Sequence, residues 1–158
     1  MTHTNTSRFL KSSIALAASA TALAMLSQAP AFAASKPPTT SQLTIKITGF
    51  EDQSGQVLIA LFNSADSYDS ETAFRDAKIA VTQKTVKTSF DDLPAGTYAF
   101  KLFHDADGDG ELDTDGFGIP SEDYYFSNDA SDPFSAPEWD EAQFDLTKAK
   151  VTKRVRLD

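Results

Sequence analysis

The chain has 158 residues, a length typical of one domain, and it contains no cysteine, so no disulfide can stabilise the fold. It carries 23 acidic and 14 basic residues, which gives a formal net charge of −9 at pH 7. Nucleic acids and anionic membrane surfaces attract proteins with a basic surface, so this balance argues against both as partners.

The first 33 residues have the pattern of a signal peptide. Arg8 and Lys11 precede an apolar run at residues 12–26, and Ala31 and Ala33 are the small residues that a signal peptidase reads. The run is shorter than the roughly 20 apolar residues of a membrane span. We therefore expect cleavage after Ala33, a periplasmic or secreted protein, and no stable membrane insertion after cleavage. An uncleaved N-terminal anchor is the alternative.

Residues 34–41 are rich in Pro, Ser and Thr and are predicted to form a linker before a domain at residues 42–158. From Gln42 onward, apolar and polar side chains alternate as in a half-buried strand. Residues 57–62 are apolar on both faces, as in a central strand, and a cluster of turn-forming residues at 51–55 separates the two runs. The sequence predicts that these two strands form a hairpin.

Short strands continue along the chain. Residues 63–77 are polar with interspersed aromatics and predict a crossover loop with one helical turn. Further strands are predicted at residues 78–82, 85–90, 97–103 and 148–157, with a tight connection at residues 91–96. About seven short strands separated by turns predict an all-β fold, an antiparallel Ig-like β-sandwich with a long acidic loop excursion.

The acidic residues are concentrated in one part of the chain. Residues 102–147 contain 14 of them and no Lys or Arg, whereas the rest of the chain after Ala33 has more basic than acidic residues. A surface that serves only solubility would spread its charge. A concentrated acidic segment attracts cations instead.

An aspartate loop, defined here as residues 105–115, opens this segment and reads D-A-D-G-D-G-E-L-D-T-D. Calcium takes six to eight oxygen ligands, which an EF-hand loop supplies from alternate positions around a Gly at position 6. The residues at the matching positions are Asp105, Asp107, Asp109, Gly110 at the turn, Glu111 through its backbone carbonyl, and Asp113. The spacing predicts a calcium site.

The EF-hand match ends at position 12, where Gly116 replaces the bidentate Glu, and no helices flank the loop. A closing ligand must then come from Asp115, Glu122, Asp123 or water. We expect a calcium loop on a β scaffold with a Kd on the order of 0.1–1 mM. Magnesium fits less well because it requires a tighter octahedral geometry. The alternative is a solvated acidic turn, since Asp and Gly are common turn residues.

His104 is the only histidine after the signal region, and no serine or cysteine nucleophile motif accompanies it. A general base beside carboxylates is conceivable. A structural role is favoured, in which His104 ends the strand and bonds to loop backbone. The sequence therefore predicts no catalytic residue, with a hydrolase that uses His104 and nearby carboxylates as the alternative.

Aromatic residues are frequent in the acidic segment, which therefore has an apolar content that solvated tails lack. It should fold over the sandwich as an ordered excursion. Tyr124, Tyr125 and Trp139 could contact a ligand by stacking on a sugar or a peptide. The favoured alternative is that these rings cap the core, as most aromatic side chains do.

Four short motifs follow one another in the chain. They are Leu93-Pro94-x-Gly96-x-Tyr98-Ala99, His104-Asp105-x-Asp107-x-Asp109-Gly110-x-Leu112-Asp113, Gly118-Ile119-Pro120-x-Glu122 and Phe126-Ser127-Asn128. This string resembles the bacterial exported family called domain of unknown function 2141, over roughly residues 43–157. Asp109 stands where that family often has Asn, which also offers an oxygen ligand. The resemblance implies a sandwich similar to transthyretin-like and carboxypeptidase-regulatory-like domains, and it implies no catalytic residue.

Together, these features predict an exported, non-catalytic binding or structural module of the cell envelope, stabilised by calcium at the aspartate loop. The predicted metal ligands are Asp105, Asp107, Asp109, Glu111, Asp113, Asp115 and Glu122. Beyond calcium, an envelope saccharide or protein is the expected kind of partner. The alternative function is hydrolysis of a saccharide or a peptide.

Overall fold

The computed structural model describes residues 39–132 and 135–157. The predicted signal peptide, most of the predicted linker and Phe134, one of the aromatic residues of the acidic segment, lie outside these residues. The strands are β1 (Thr40–Thr48), β2 (Gln56–Phe62), β3 (Arg75–Ala80), β4 (Thr85–Pro94), β5 (Gly96–Asp105), β6 (Tyr124–Phe126), β7 (Phe144–Leu146) and β8 (Lys150–Arg156). Two short helices, α1 (Ala65–Asp69) and α2 (Trp139–Ala142), and a 3-10 turn (Ser127–Asp129) complete the described elements. None of these helices is long and apolar enough to cross a membrane.

The strands form two sheets that enclose one core. A three-stranded sheet has the order β4-β1-β8, and a five-stranded sheet has the order β3-β2-β5-β6, with β7 paired to β5. Alternate side chains of both sheets point inward, as the period-two pattern predicts. The largest fully buried side chains are Phe62, Phe100, Leu43, Ile45, Ile47, Ile59, Leu61, Leu93, Leu146, Leu157, Val57 and Val81. The predicted all-β sandwich is confirmed.

The predicted hairpin of the first two strands is wrong. β1 pairs with β4 and β8, whereas β2 pairs with β3 and β5, so the two strands belong to different sheets. Both strands have a fully apolar inner face, and these faces pack against each other across the core. The connection at residues 49–55 therefore crosses from one sheet to the other, starting at Gly49 with a φ of 100°.

One pairing departs from the antiparallel prediction. β8 lies parallel to β1, with Leu43 opposite Val151 and Ile47 opposite Val155. Parallel neighbours need a long connection, and the chain between β1 and β8 includes the whole five-stranded sheet. The return of the C-terminal strand beside the first strand is a long-range pairing that local patterns do not encode.

Two strand boundaries also differ from the prediction. β3 begins at Arg75, inside the predicted crossover loop, and β4 extends to Pro94, so only Ala95 separates it from β5. The predicted tight connection is thus mostly strand. Tyr98 anchors this corner, because its buried ring lies under the turn and its hydroxyl donates a hydrogen bond of 2.8 Å to the Pro94 carbonyl.

The acidic excursion after β5 is folded against the sandwich. Its α2 helix packs with α1 against the end of the five-stranded sheet, in a second buried cluster of Phe62, Tyr68, Ala99 and Ala142. Ser127 is fully buried beneath it, accepts a hydrogen bond of 3.0 Å from Phe100 N and donates one of 2.6 Å to the Ala142 carbonyl. Ser127 therefore links the middle of the excursion, and through Ala142 its helix α2, to β5.

Candidate metal centre

The aspartate loop starts from a buried carboxylate. Asp105, the last residue of β5, is fully buried, and its carboxylate accepts hydrogen bonds from Gln56 Nε2 at 2.6 Å, Gly108 N at 2.7 Å and Gly110 N at 3.0 Å. Gln56 lies opposite Asp105 in the register of β2 and β5. The sheet therefore places the donor that orients the first acidic residue of the loop.

These hydrogen bonds keep Asp105 ionised. Burial alone would raise the pKa of a carboxyl group, because a charge is poorly solvated away from water. At Asp105 the hydrogen bonds from Gln56 and the two glycine amides, with a contribution from the charge of Lys78, outweigh burial and lower the pKa. The loop thus begins with a fixed negative charge at the end of a strand.

The rest of the loop curls through left-handed glycines and side-chain turns. Gly108 and Gly110 have φ values of 85° and 90°, a region that favours glycine. Asp107 accepts a hydrogen bond of 3.1 Å from Asp109 N, and Asp109 accepts one of 2.8 Å from Glu111 N. Each aspartate thus bonds to the backbone two residues further on, a common turn geometry for Asp. The sharp turn predicted at Gly110 is present.

The curl brings carboxylates together in two overlapping groups. Asp105, Asp107 and Asp109 each offer an oxygen atom within 4.8 Å of the others, and the same holds for Asp107, Asp113 and Glu122. Oxygen atoms that share a calcium ion at 2.3–2.6 Å lie at most about 5 Å apart. Both groups therefore have the spacing of ligands around one such ion. Asp107 belongs to both.

Glu122 closes the loop from outside it. One carboxylate oxygen accepts a hydrogen bond of 2.8 Å from Ala106 N and the other accepts one of 3.1 Å from Asp113 N. The side chain therefore joins the start and the end of the loop. The pKa of Asp113 is raised, first because the group is partly removed from water and next because Asp107, Asp109, Glu122 and Asp105 are negative. A cation at this point would relieve that repulsion.

Two predicted ligands lie outside these groups. Asp115 accepts hydrogen bonds from Phe117 N at 2.8 Å and Ile119 N at 3.0 Å, so its carboxylate stabilises its own turn. The Glu111 side chain is exposed and belongs to neither group. Of the three carboxylates considered for closing the site, the structure brings Glu122 to it.

Residues 113–121 form what we call the acidic hairpin. Ser121 N donates to the Asp113 carbonyl at 2.9 Å, Asp115 N donates to the Ile119 carbonyl at 2.7 Å, and Thr114 and Pro120 form a β-bridge between them. Asp113 and the neighbouring Glu122 lie at the base of the hairpin, so the second carboxylate group is at the point where the hairpin begins and ends.

The His104 ring bonds to backbone, but to the turn before β2 rather than to the aspartate loop. The ring is 5% exposed, lies edge-on to Phe50 with centroids 5.1 Å apart, and its Nε2 is 2.9 Å from the Ser54 carbonyl. A carbonyl oxygen only accepts, so Nε2 carries the proton and donates it to this bond. The ring therefore fastens the turn before β2 to β5, and this nitrogen is not available as a general base.

A cleft of about 820 Å³ lies over the outer face of the five-stranded sheet. Leu58, Phe103 and Tyr124 are in register on neighbouring strands and form its floor. Leu112 and Ile119, at the end of the aspartate loop and in the acidic hairpin, line one side. The candidate metal centre and the cleft are therefore adjacent, because Leu112, which lines the cleft, directly precedes Asp113 of the second carboxylate group.

The three predicted ligand-contact aromatics separate into two kinds. Tyr125 stacks on Phe100 with centroids 6.1 Å apart, and Trp139 packs edge-on against Tyr68 at 5.8 Å, so both rings cap buried clusters. Tyr124 is 49% exposed and faces the cleft. Tyr125 also lines the cleft, and Tyr124 offers more exposed surface there for contact with a ligand.

Two residues that support the site were not among the predicted ones. Gln56 orients Asp105, and Gly55 with φ of 65° lies so close to the start of the loop that a Cβ there would be 2.2 Å from the Asp105 carbonyl oxygen. Neither has a local sequence signal, because their roles depend on the pairing of β2 with β5. A correct strand pairing would have identified both.

The family model described as "Uncharacterized protein conserved in bacteria (DUF2141)" matches residues 45–154. The match spans the sandwich from β1 to β8 and includes the aspartate loop and the acidic hairpin. No curated protein and no solved structure matches the chain.

Proposed function

The chain belongs to the bacterial family DUF2141, and we propose that it is an exported, non-catalytic binding module of the cell envelope whose aspartate loop holds calcium. The overlap of two carboxylate groups at Asp107 carries this proposal. Export is supported by the signal-peptide pattern of the first 33 residues. The non-catalytic part is supported by His104, whose ring is buried and bonded to backbone.

The donor set favours calcium among common cations. Five carboxylates supply the two groups, and oxygen ligands from Asp and Glu suit hard cations. Calcium accepts irregular arrangements of six to eight oxygens, whereas magnesium requires a near-ideal octahedron and retains most of its water. The carboxylates of this loop also accept backbone hydrogen bonds, which limits how they can be arranged around an ion. Such an arrangement suits the irregular coordination of calcium better than the octahedron of magnesium.

The ion would act mainly on local structure. The exposed carboxylates of Asp107, Asp109 and Asp113 repel one another, and a bound cation would turn that repulsion into attraction. Because Leu112 and Ile119 line the cleft, calcium at the base of the hairpin would also fix one side of that cleft. The ion would therefore shape a surface of the module rather than take part in a reaction.

The expected stabilisation is modest. With a Kd on the order of 0.1–1 mM and about 1 mM free calcium, binding adds roughly 0.4–1.4 kcal/mol to the free energy of unfolding. For a domain of this size that corresponds to a rise in Tm of about 2–6 °C. Differential scanning calorimetry in calcium or in chelator resolves a change of this size.

Two variants in the same loop make the test specific. Asp107→Ala removes the carboxylate common to both groups, and Glu111→Gln removes an equal charge from a side chain outside them. We expect calcium to raise the Tm of the wild type and of Glu111→Gln, and to leave that of Asp107→Ala unchanged. Equal melting points with and without calcium in the wild type would contradict the proposal. So would a shift that persists in Asp107→Ala.

A further inference from the structure

The outer face of the three-stranded sheet is basic, in contrast to the protein as a whole. Side chains that point outward from β4, β1 and β8 include five cations, which we call the basic face: Lys46, Lys87, Lys150, Arg154 and Arg156. Their strands are distributed along the chain from Thr40 to Arg156 and meet only in the folded sheet. The alternation along β8 places Lys150, Arg154 and Arg156 on one side, but their alignment with Lys46 and Lys87 depends on the strand pairing.

Three of these cations form a row across the sheet. Lys46 on β1 is directly opposite Lys87 on β4 and directly opposite Arg154 on β8. Neighbouring strands lie about 4.8 Å apart, so the row places three positive charges side by side. Like charges in directly opposed positions destabilise a sheet. An arrangement with this cost is expected where the charges face a partner that neutralises them.

The row is not neutralised within the protein. Among residues 39–132 and 135–157, Lys46, Lys87, Lys150 and Arg154 have no ion pair and no hydrogen bond to their side chains. An ion pair between Lys101 and Glu71 lies on the other sheet and its helix connection. One carboxylate, Asp91 on β4, lies on the same side of the sheet as the row and accepts a hydrogen bond from Gln42. The basic face thus presents an excess of positive charge.

Hydroxyl groups fill the positions between the cations. The outward side chains next to the row are Thr44, Thr48, Thr85, Ser89 and Thr152. Thr44 and Ser89 lie opposite each other with their oxygens 3.0 Å apart. The face offers charge and hydrogen bonds, and its outward positions carry no large apolar side chain that could enter a bilayer.

We infer that the basic face binds a linear anionic polysaccharide of the cell envelope. Carboxylate or other acidic groups along such a chain would pair with the row of cations, and its hydroxyls would exchange hydrogen bonds with the Thr and Ser side chains. The lack of an apolar wedge disfavours a bilayer surface, which amphipathic segments enter with apolar residues. The acidic excursion would repel the polymer, so the protein would bind through this face alone.

This inference rests on the proposed function as a binding module but does not depend on the calcium site. Binding is measured with chelator present, so the aspartate loop contributes no bridging metal. A protein that binds the polymer but shows no calcium response would refute the calcium site alone. A protein that responds to calcium but does not bind the polymer would refute this inference alone.

Carboxymethyl-dextran is the probe, and unmodified dextran is its uncharged control with the same backbone. We expect the wild type to bind immobilised carboxymethyl-dextran at low ionic strength, to bind less as salt rises, and not to bind dextran. Lys46→Gln with Lys87→Gln removes two charges of the row and should weaken binding about thirtyfold, at about 1 kcal/mol for each cation near an anionic surface.

Two control proteins separate charge from structure. Lys46→Arg with Lys87→Arg keeps both charges and should bind within about twofold of the wild type, since electrostatic attraction near a surface depends on charge. Lys78→Gln removes a cation from the outer face of the other sheet and should also bind as the wild type does. Wild-type binding by the Gln pair, or equal binding of the wild type to both dextrans, would overturn the inference. Binding to phosphatidylglycerol vesicles without binding to carboxymethyl-dextran would overturn it in favour of a membrane partner.

Discussion

The aspartate loop and the basic face use charge in opposite ways. In the loop, the carboxylates curl toward one another, accept backbone hydrogen bonds and reach within 4.8 Å in two groups. On the basic face, the cations extend from a regular sheet, and Lys46, Lys87 and Arg154 lie side by side with no acidic partner among the described residues. An irregular backbone can converge charges on a small ion, whereas a regular sheet spreads them over an extended surface.

The two regions also differ in how they arise from the chain. The loop, with Glu122, is built from 18 consecutive positions, so its chemistry is visible as a motif. The basic face is built from β1, β4 and β8, which are brought together by one antiparallel and one parallel pairing. The net charge of −9 does not show it, although the chain outside the acidic segment has more basic than acidic residues after Ala33. A negative chain can therefore still present a positive surface, and charge must be judged face by face.

The largest expected effect tests how far the aspartate loop depends on the rest of the fold. In Gly55→Ala, a Cβ would lie 2.2 Å from the Asp105 carbonyl oxygen, at a backbone φ of 65°. We expect a loss of more than about 3 kcal/mol in the free energy of unfolding, from the clash and the strained backbone together. Urea denaturation in chelator measures it.

The matched control is Gly108→Ala within the loop. Its φ is 85°, but no atom lies within 4 Å of the added Cβ. Only the backbone strain should remain, at roughly 1–2 kcal/mol. If both variants lost the same stability, the close contact between the turn before β2 and the start of the loop would be unimportant.

A smaller effect is expected at the buried end of the loop. Asp105→Ala removes an acceptor of three hydrogen bonds, including one from Gln56, and should cost about 2–4 kcal/mol in chelator. Asp109→Ala removes one exposed hydrogen bond, to Glu111 N, and should cost less than about 1 kcal/mol. Chemical denaturation of both variants gives the comparison.

The stability that the Asp105 carboxylate contributes should depend on pH, and the lowered pKa sets the direction. The folded-state pKa of Asp105 is lowered, so its contribution is present above the ordinary pKa of an Asp, about 3.9, and is lost as pH falls through the folded value. The difference in free energy of unfolding between the wild type and Asp105→Ala should therefore become smaller at acidic pH. A gap that widened below pH 4 would show that the carboxylate is not held in its ionised form.

The smallest expected effect concerns the basic face. Lys46→Thr removes the central charge of the row and introduces a residue that suits a strand, so stability at low salt should rise by roughly 0.2–1 kcal/mol. The gain should shrink as salt screens the repulsion. Lys78→Thr on the other sheet, opposite Leu58, provides the control and should show no such gain. A destabilised Lys46→Thr would mean that the row carries no repulsion to relieve.

Local patterns were sufficient for much of the fold. Alternation in residues 43–47 and 97–103 identified strands and their buried faces, because the period of a strand is a property of the chain itself. Local patterns do not predict which strands pair with each other. The hairpin of β1 and β2 was wrong, since two adjacent apolar strands can either pair side by side or pack across a core, and local patterning does not distinguish these.

The same division applies to the candidate site. The alternate aspartates and the turn at Gly110 follow from spacing within the loop. Gln56 and Gly55 act from another strand and its turn, so only the register of β2 and β5 reveals them. The sequence places Asp115 next to the other ligands, but in the structure its carboxylate accepts hydrogen bonds from Phe117 N and Ile119 N in its own turn.

The most direct test of the account is a calcium titration followed by amide NMR spectra. We predict saturable shifts for amides in and next to the aspartate loop, including those of Gly108 and Gly110, that fit one ion per chain. The amide chemical shifts around Lys46, Lys87 and Arg154 on the basic face should not change. Small shifts across the whole chain that grow without saturation would contradict a calcium site at this loop.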